Sequence, residues 1–142
     1  MMISTKGRYA LRFMADLAQH RNGSFIPLKE AAERQDISLK YLERIALTLT
    51  QVNMIESSHG KGGGYRLTRE PEAYTVLEIL EIIEGDIAPV ACLGCNASPC
   101  DRASLCPTLE MWKGFHQLTK DYFKSITLSD LVKRPTEPDY II

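Results

Sequence analysis

Residues 38–70, SLKYLERIALTLTQVNMIESSHGKGGGYRLTRE, change from a helical to an alternating pattern within one uninterrupted stretch. Apolar residues first recur at intervals of three and four, which predicts an amphipathic helix with Ser38 as its N-cap. The core-facing positions are Leu42, Ile45, Ala46 and Leu49. After Asn53, short alternating runs on either side of a glycine-rich tip predict a β-hairpin. A helix followed directly by such a hairpin is the layout of a winged helix.

The segments before this stretch supply the rest of a helix-turn-helix. Residues 4–20 carry apolar side chains at helical spacing, and Pro27 suits the first turn of a short second helix ending near Gln35. The tripeptide DIS then forms a tight turn into the third helix. We therefore expect a mainly helical protein with a small β-hairpin wing, in which residues 1–85 form a winged helix-turn-helix domain.

Polar side chains of the third helix and of the hairpin are the candidates for binding nucleic acid. The outward positions near the start of the helix match those that enter the major groove in helix-turn-helix proteins. Basic residues and glycine at the hairpin suit contact with the sugar-phosphate backbone. The candidate contacts with double-stranded promoter DNA are Ser38, Lys40, Tyr41, Glu43, Arg44, His59, Lys61, Gly62 and Arg66.

The glycines of residues 59–70 have two other interpretations. One is a loop that cradles the phosphates of a nucleotide, but the P-loop pattern is absent and the dinucleotide pattern G-x-G-x-x-G fails at Tyr65. The other is a plain turn, since glycine is common in turns for steric reasons. The flanking charges favour contact with phosphate.

Charge is distributed unevenly along the 142 residues, whose net charge is −1. Residues 1–69 hold 11 Lys and Arg against 6 Asp and Glu, whereas residues 70–142 hold 6 against 12. The first half is therefore the part suited to phosphates. No apolar run approaches the ~18 residues of a membrane span, and the start of the chain is charged where a secretion signal is apolar. We expect a cytoplasmic protein.

Two further helices are predicted beyond the hairpin. The fourth helix begins with Thr75 and Glu78 in the spacing of a capping box. After an irregular stretch over residues 86–107, Thr108 is expected to cap a long helix. Its apolar and aromatic face comprises Leu109, Trp112, Phe115, Thr119, Tyr122, Phe123 and Ile126. We expect residues 108–142 to join two copies in a homodimer through this face, with a role in the core of one subunit as the alternative.

The irregular stretch contains every cysteine of the chain, in the pattern C-x2-C-x4-C-x5-C. The four are Cys92, Cys95, Cys100 and Cys106. Core thiols would be scattered among apolar positions, and disulfides are not expected in a cytoplasmic protein, so metal binding is the favoured use. Four thiolates at short spacing suit zinc or an iron-sulfur cluster, either [2Fe-2S] or [4Fe-4S], and the spacing does not choose between them.

Five segments occur in the same order as in a known family. They are STKGRYAL at 4–11, ERQDISLKYLERI at 33–45, GKGGGYRL at 60–67, the cysteine loop, and ITLSDLV at 126–132. Through them the chain resembles the IscR and NsrR family of iron-sulfur transcription regulators along nearly its full length. The resemblance implies a homodimeric winged helix that binds promoter DNA under the control of a cluster held by three cysteines and one other residue. Carried over, these cysteines are Cys92, Cys100 and Cys106.

The fourth cluster ligand is the point at which this chain departs from the family. Leu109 stands where IscR has a histidine, and Arg8 stands where NsrR-type proteins can use an acidic residue of the partner subunit. Cys95 is an additional thiol. It is therefore the first candidate for the fourth ligand, and Glu110 is the second.

The sequence predicts a DNA-binding transcription regulator controlled by an iron-sulfur cluster that senses iron-sulfur status, redox state or nitric oxide. A zinc-stapled or thiol-redox DNA-binding regulator without a cluster is the alternative. An enzyme is not expected, because His20, His59 and His116 lie in separate segments with no acidic partner at an evident spacing.

Overall fold

The computed structural model describes residues 2–94, 98 and 100–133. Within them the chain is mainly helical with one antiparallel hairpin, which confirms the predicted fold class. The elements are α1 Thr5–Gln19, α2 Leu28–Gln35, α3 Leu39–Gln51, β1 Ile55–Ser58, β2 Gly64–Leu67, α4 Val76–Glu84, α5 Leu109–Ser125 and α6 Leu128–Val132, with 3-10 turns at Pro71–Ala73 and Ala91–Leu93. No helix in these ranges is long and apolar enough to cross a membrane.

The start of α1 is fixed to the end of α4 by a half-buried polar contact. Ser4 caps α1 by accepting the backbone N–H of Gly7 at 3.1 Å. The Glu84 carboxylate accepts from both the backbone N–H and the hydroxyl of Ser4, at 3.0 and 2.6 Å. A Cβ at position 7 would collide with the same carboxylate, so a larger residue there would displace the Glu84 side chain from this position.

The main core lies among α1, α2, α3 and the hairpin, and Leu128 of α6 joins it. Tyr74, which is fully buried, connects the base of the hairpin to the end of α3. Its hydroxyl donates to the Met54 carbonyl at 2.6 Å and accepts from the backbone N–H groups of Thr68 and Arg69 at 3.0 and 3.2 Å. The buried Tyr74 hydroxyl therefore joins the base of the hairpin to the residues that follow α3.

The hairpin also pairs with a segment before α2, which the periodicity of the sequence does not reveal. Ile26, just before α2, exchanges two backbone hydrogen bonds of 2.8 Å with Tyr65 of β2. Gly64 adjoins this bridge, and a Cβ there would collide with the Ile26 carbonyl. The wing is thus attached to the helix-turn-helix along its side as well as at its base.

The capping box predicted for α4 forms only in part. The Thr75 hydroxyl accepts the backbone N–H of Glu78 at 3.1 Å, as expected. The Glu78 carboxylate, however, binds the Arg69 guanidinium through two hydrogen bonds of 2.9 and 3.0 Å. A charged bidentate partner is a stronger competitor for a carboxylate than a backbone N–H group.

The short helix α6 was not predicted, and it carries a complete capping box. Thr127 and Asp130 exchange hydrogen bonds of 3.1 and 2.9 Å. Backbone hydrogen bonds join the chain before α6 to the start of α4, from Val76 to the Ile126 carbonyl at 2.9 Å and from Leu128 to the Tyr74 carbonyl at 3.0 Å. The chain that follows α5 is therefore held against the start of α4.

Candidate functional site

A buried ionic network holds α2 against α1 and so positions the helix-turn-helix. Asp16 of α1 is fully buried and accepts two hydrogen bonds from Arg34, at 2.8 and 3.0 Å, and one from Gln35 at 2.9 Å. Asp36 then adopts the left-handed conformation, with φ of 54°, at the turn into α3. The network thus joins α1 to α2, and Asp36 forms the turn from α2 into α3.

The outward face of α3 presents three charged side chains without partners. Lys40, Glu43 and Arg44 are exposed, and within the described residues their side chains make no hydrogen bond or ion pair. Ser38 acts as the N-cap, since its hydroxyl accepts the backbone N–H of Tyr41 at 3.1 Å. The half-buried Tyr41 ring packs edge-on against Tyr9 of α1, with 5.6 Å between ring centroids. Two of the five residues predicted on this helix therefore also have structural roles.

Glu43→Ala is expected to relax sequence preference. An exposed carboxylate in the major groove accepts a hydrogen bond from a cytosine amino group and repels phosphate, so it discriminates without attracting DNA. We expect a loss of ~1 to 3 kcal/mol of preference at one base pair per half-site, with non-specific affinity unchanged or stronger. Selection from randomised DNA measures this effect. Glu33→Ala, which removes an exposed carboxylate from α2, is the control, and an unchanged preference in Glu43→Ala would exclude Glu43 from base reading.

The tip of the hairpin is open and basic. His59 and Lys61 are exposed, while Gly60 and Gly62 adopt positive φ values of 84° and 79° with no neighbour near an added Cβ. At Gly63 an added Cβ would collide with the Ser58 carbonyl. Gly63 is thus explained by the turn itself, whereas Gly60 and Gly62 leave the backbone accessible from outside.

Arg66 occupies a different environment from the other predicted wing residues. Its guanidinium lies 4.2 Å from the centroid of the Phe25 ring and pairs with Glu56 on the opposite strand. It is held along the side of the hairpin and does not extend from the tip. A contact between Arg66 and DNA would require the guanidinium to be shared with these two partners.

Lys61→Ala is expected to weaken binding to all DNA sequences alike. If Lys61 contacts the phosphate backbone, which is the same for every sequence, it releases about one counterion on binding. The slope of log affinity against log salt should become shallower by about one unit. Titrations at several salt concentrations measure it, with Lys133→Ala in the distant α6 region as the control. A sequence-selective loss with the slope intact would contradict a backbone contact.

The cysteines that the structure describes are free thiols on the segment between α4 and α5. Cys92 and Cys100 are exposed and Cys106 is half-buried, whereas Cys95 lies outside the described residues. Hydrogen bonding to the hydroxyl and backbone N–H of Thr108 lowers the pKa of Cys106, so its thiolate forms more readily. Thr108 therefore contacts the thiol, and its hydroxyl does not cap α5 as predicted.

The three thiols that the structure describes suit a metal or cluster in chemistry, but they are not gathered into one site. Among the described residues, no three His, Cys, Asp or Glu side chains lie close enough to hold a metal ion. Glu110, the second candidate for a fourth ligand, is highly exposed and pairs with Lys113 at 3.4 Å. Thiolates are the usual ligands of iron-sulfur clusters, so the chemistry of these side chains suits a cluster although their positions here do not form one site.

Helix α5 has two apolar sides, and sequence reasoning found them only in part. Leu109, Trp112 and Phe123 are half-buried, and Phe123 packs on the small cluster around α4. A second stripe faces outward: Met111, Phe115, Leu118 and Tyr122, with exposed fractions of 55%, 43%, 70% and 62%. Its spacing of four, three and four residues is typical of a helix that pairs with another helix. Met111 and Leu118 were missed by the sequence analysis, and this spacing is the pattern that could have identified them.

Residues 3–134 match the Rrf2 family, described as iron-dependent transcriptional regulators. The chain belongs to the Rrf2 family. It is 35% identical to the HTH-type transcriptional regulator IscR of Cereibacter sphaeroides, over 97% of this chain and 91% of that protein. It is 32% identical to IscR of Vibrio campbellii, over 94% of this chain and 78% of that protein. The resemblance inferred from the five sequence segments is confirmed.

Solved structures similar to this Rrf2 protein include regulators named CymR and IscR. CymR, the global cysteine regulator of B. subtilis, is 33% identical, with a TM-score of 0.77 and coverage of 95% of this chain and 98% of that one. IscR of T. potens is 29% identical, with a TM-score of 0.75 and coverage of 97% and 94%. This Rrf2 protein is accordingly a DNA-binding transcription regulator with a winged-helix fold, and it is not an enzyme.

Proposed function

We propose that this Rrf2 protein controls promoter binding through an iron-sulfur cluster held by Cys92, Cys100 and Cys106. The observation that carries the proposal is the position of these free thiols, on the one segment that connects the DNA-binding module to α5. Cys95 is the first candidate for the fourth ligand and Glu110 the second. When bound, such a cluster would link the three thiolates to one another. Oxidation or nitric oxide would break this link.

The chain around the thiols is arranged to transmit a change in the order of this segment. Ile87 is buried beside Leu80 of α4 and anchors the beginning of the segment. Its end passes directly into α5, where Cys106 contacts Thr108. A restraint on the cysteines would therefore act on the direction of α5 relative to α4. This proposal divides the chain into a DNA-binding part at 1–85, a sensing segment at 86–107 and a pairing part at 108–142.

The outward stripe of α5 supports a homodimer in which two DNA-binding modules are held at a fixed spacing. Four large apolar side chains at pairing intervals on one exposed helix favour burial against a second copy of the same helix. No residue of α5 is fully buried by its own subunit. Two-fold pairing would present two α3 helices to successive turns of the major groove.

Leu118→Lys tests this pairing. Leu118 is 70% exposed in the single chain, so the substitution should leave the subunit folded while placing a charge in the seam. We expect the mass measured by light scattering to fall to that of one chain, with at least tenfold weaker operator binding. Lys113→Glu, on the other side of α5, should remain dimeric. A dimeric Leu118→Lys protein would place the interface elsewhere.

Anaerobic purification tests the cluster. We expect a coloured protein with visible absorption, iron and acid-labile sulfide, and operator binding that changes when the colour is bleached by oxygen or nitric oxide. Stoichiometric zinc without sulfide would contradict the cluster and favour the zinc-stapled alternative. Iron and sulfide whose loss leaves DNA binding unchanged would contradict the control of promoter binding.

A thiol-redox regulator without a cluster is the second candidate. It is favoured by the accessible, separate thiols and by the similarity to CymR, for which an oxidised form from Staphylococcus aureus is among the solved structures. The chain is 29% identical to that protein, with a TM-score of 0.76 and coverage of 96% and 100%. In this case the purified protein holds neither iron nor zinc, and oxidation of a thiol by peroxide alters its affinity for DNA.

A further inference from the structure

Leu47 lies near the middle of the exposed face of α3, where no function has been assigned to it. It is 59% exposed. Lys40 precedes it by two helical turns, and Glu43 and Arg44 precede it by one, so all four side chains share one side of the helix. Within the described residues, the hydrophobic clusters of the protein do not include Leu47.

Leu47 does not contribute to the core of this subunit. The opposite side of α3 buries four apolar residues completely: Leu42, Ile45, Ala46 and Leu49. Single exposed leucines are ordinary on protein surfaces and by themselves mean little. This one, however, is surrounded by unpaired charged side chains on the helix proposed to enter the major groove. Its surroundings therefore suggest a surface that is covered by DNA.

We propose that Leu47 contacts the C5-methyl group of a thymine and makes the protein prefer thymine at one position of each half-site. Thymine alone among the four bases presents a methyl group in the major groove, where apolar side chains recognise it. Leu47 follows Glu43 by one turn, about 6 Å along the helix. This separation corresponds to roughly two base-pair steps of 3.4 Å. The proposal rests on the DNA-reading role of α3.

Replacement of thymine by deoxyuridine tests the contact because it removes only the methyl group. The operator is first selected from randomised DNA with the unaltered protein, and each thymine is then replaced in turn. At one position in each half-site, replacement of that single thymine should weaken binding by about three- to fivefold, as expected for the loss of one buried methyl group. Leu47→Ala should bind thymine and deoxyuridine at that position equally. Val52→Ala, which shortens another exposed apolar side chain of the same region (44%), should keep the difference.

The outcomes separate this proposal from its premise. Selective binding without any deoxyuridine effect would overturn the role of Leu47 while leaving the DNA-reading role of α3 intact. The role of Leu47 would also be overturned if Leu47→Ala retained the full deoxyuridine effect. If neither Glu43→Ala nor Leu47→Ala changes the selected sequence, neither side chain reads a base, and the base-reading roles proposed for both residues fail.

Discussion

Asp16→Ala is expected to lower the free energy of unfolding by about 2 to 4 kcal/mol. The carboxylate is fully buried and accepts hydrogen bonds from both Arg34 and Gln35. Its removal leaves the donors of α2 without their acceptor and opens a small cavity against α1. The loss should not exceed this range, because the Arg34 side chain is 32% exposed and its charge remains partly hydrated.

Urea denaturation followed by circular dichroism measures this loss. Glu30→Ala is the matched control, since Glu30 lies 3.9 Å from the same guanidinium but is 60% exposed. An exposed pair of this kind contributes about 0 to 1 kcal/mol. Equal stability of the Asp16→Ala and unaltered proteins would show that the network does not hold α2. We also expect weaker operator binding by Asp16→Ala below its unfolding transition, because α3 is positioned through α2.

Cys92→Ala, Cys100→Ala and Cys106→Ala are each expected to abolish the visible chromophore. Each substitution removes one thiolate from the three assigned to the cluster, and none of these cysteines is fully buried, so the winged helix should remain folded. Absorption, iron and sulfide are measured in protein purified without oxygen. Far-ultraviolet circular dichroism and thermal unfolding show whether the fold is kept. Full chromophores in all three variants would contradict the assignment of the cluster to this segment.

Cys95→Ala distinguishes a fourth ligand from a bystander thiol. We expect the cluster of this variant to form but to be lost faster in oxygen, because Glu110 or a residue of a second chain can replace the missing thiolate. Glu110→Ala combined with Cys95→Ala examines that replacement. Identical iron, sulfide, spectrum and oxygen lifetime in Cys95→Ala and the unaltered protein would exclude Cys95 as a ligand.

The parts of the fold predicted correctly are those encoded by neighbouring residues. Ser38 is the cap of α3, and the hairpin follows α3 as expected. A helix is encoded by residues three and four apart and a strand by alternate residues, so short stretches carry enough information. The family resemblance then extended this local information to nearly the whole chain.

The parts that were missed involve residues far apart in sequence. Ile26 pairs with Tyr65 across 39 positions, and Glu84 binds Ser4 across 80. The helix α6 contains only five residues, which is too short for a clear periodicity, and backbone hydrogen bonds at its start join it to the chain around the start of α4. Such contacts depend on how the helices pack together, and no local pattern of residues announces them.

By itself, the sequence determined the winged helix-turn-helix, the long helix α5 and the grouping of the thiols on one segment. Only the tertiary structure decided which polar and apolar side chains remain available at the surface. In the folded protein Arg66 pairs with Glu56 and packs on the Phe25 ring, whereas Leu47 and the outward stripe of α5 remain uncovered. The physical reason is that periodicity is a property of the backbone within a few residues. A charged or apolar side chain, in contrast, takes its partner from any segment that folding brings within reach.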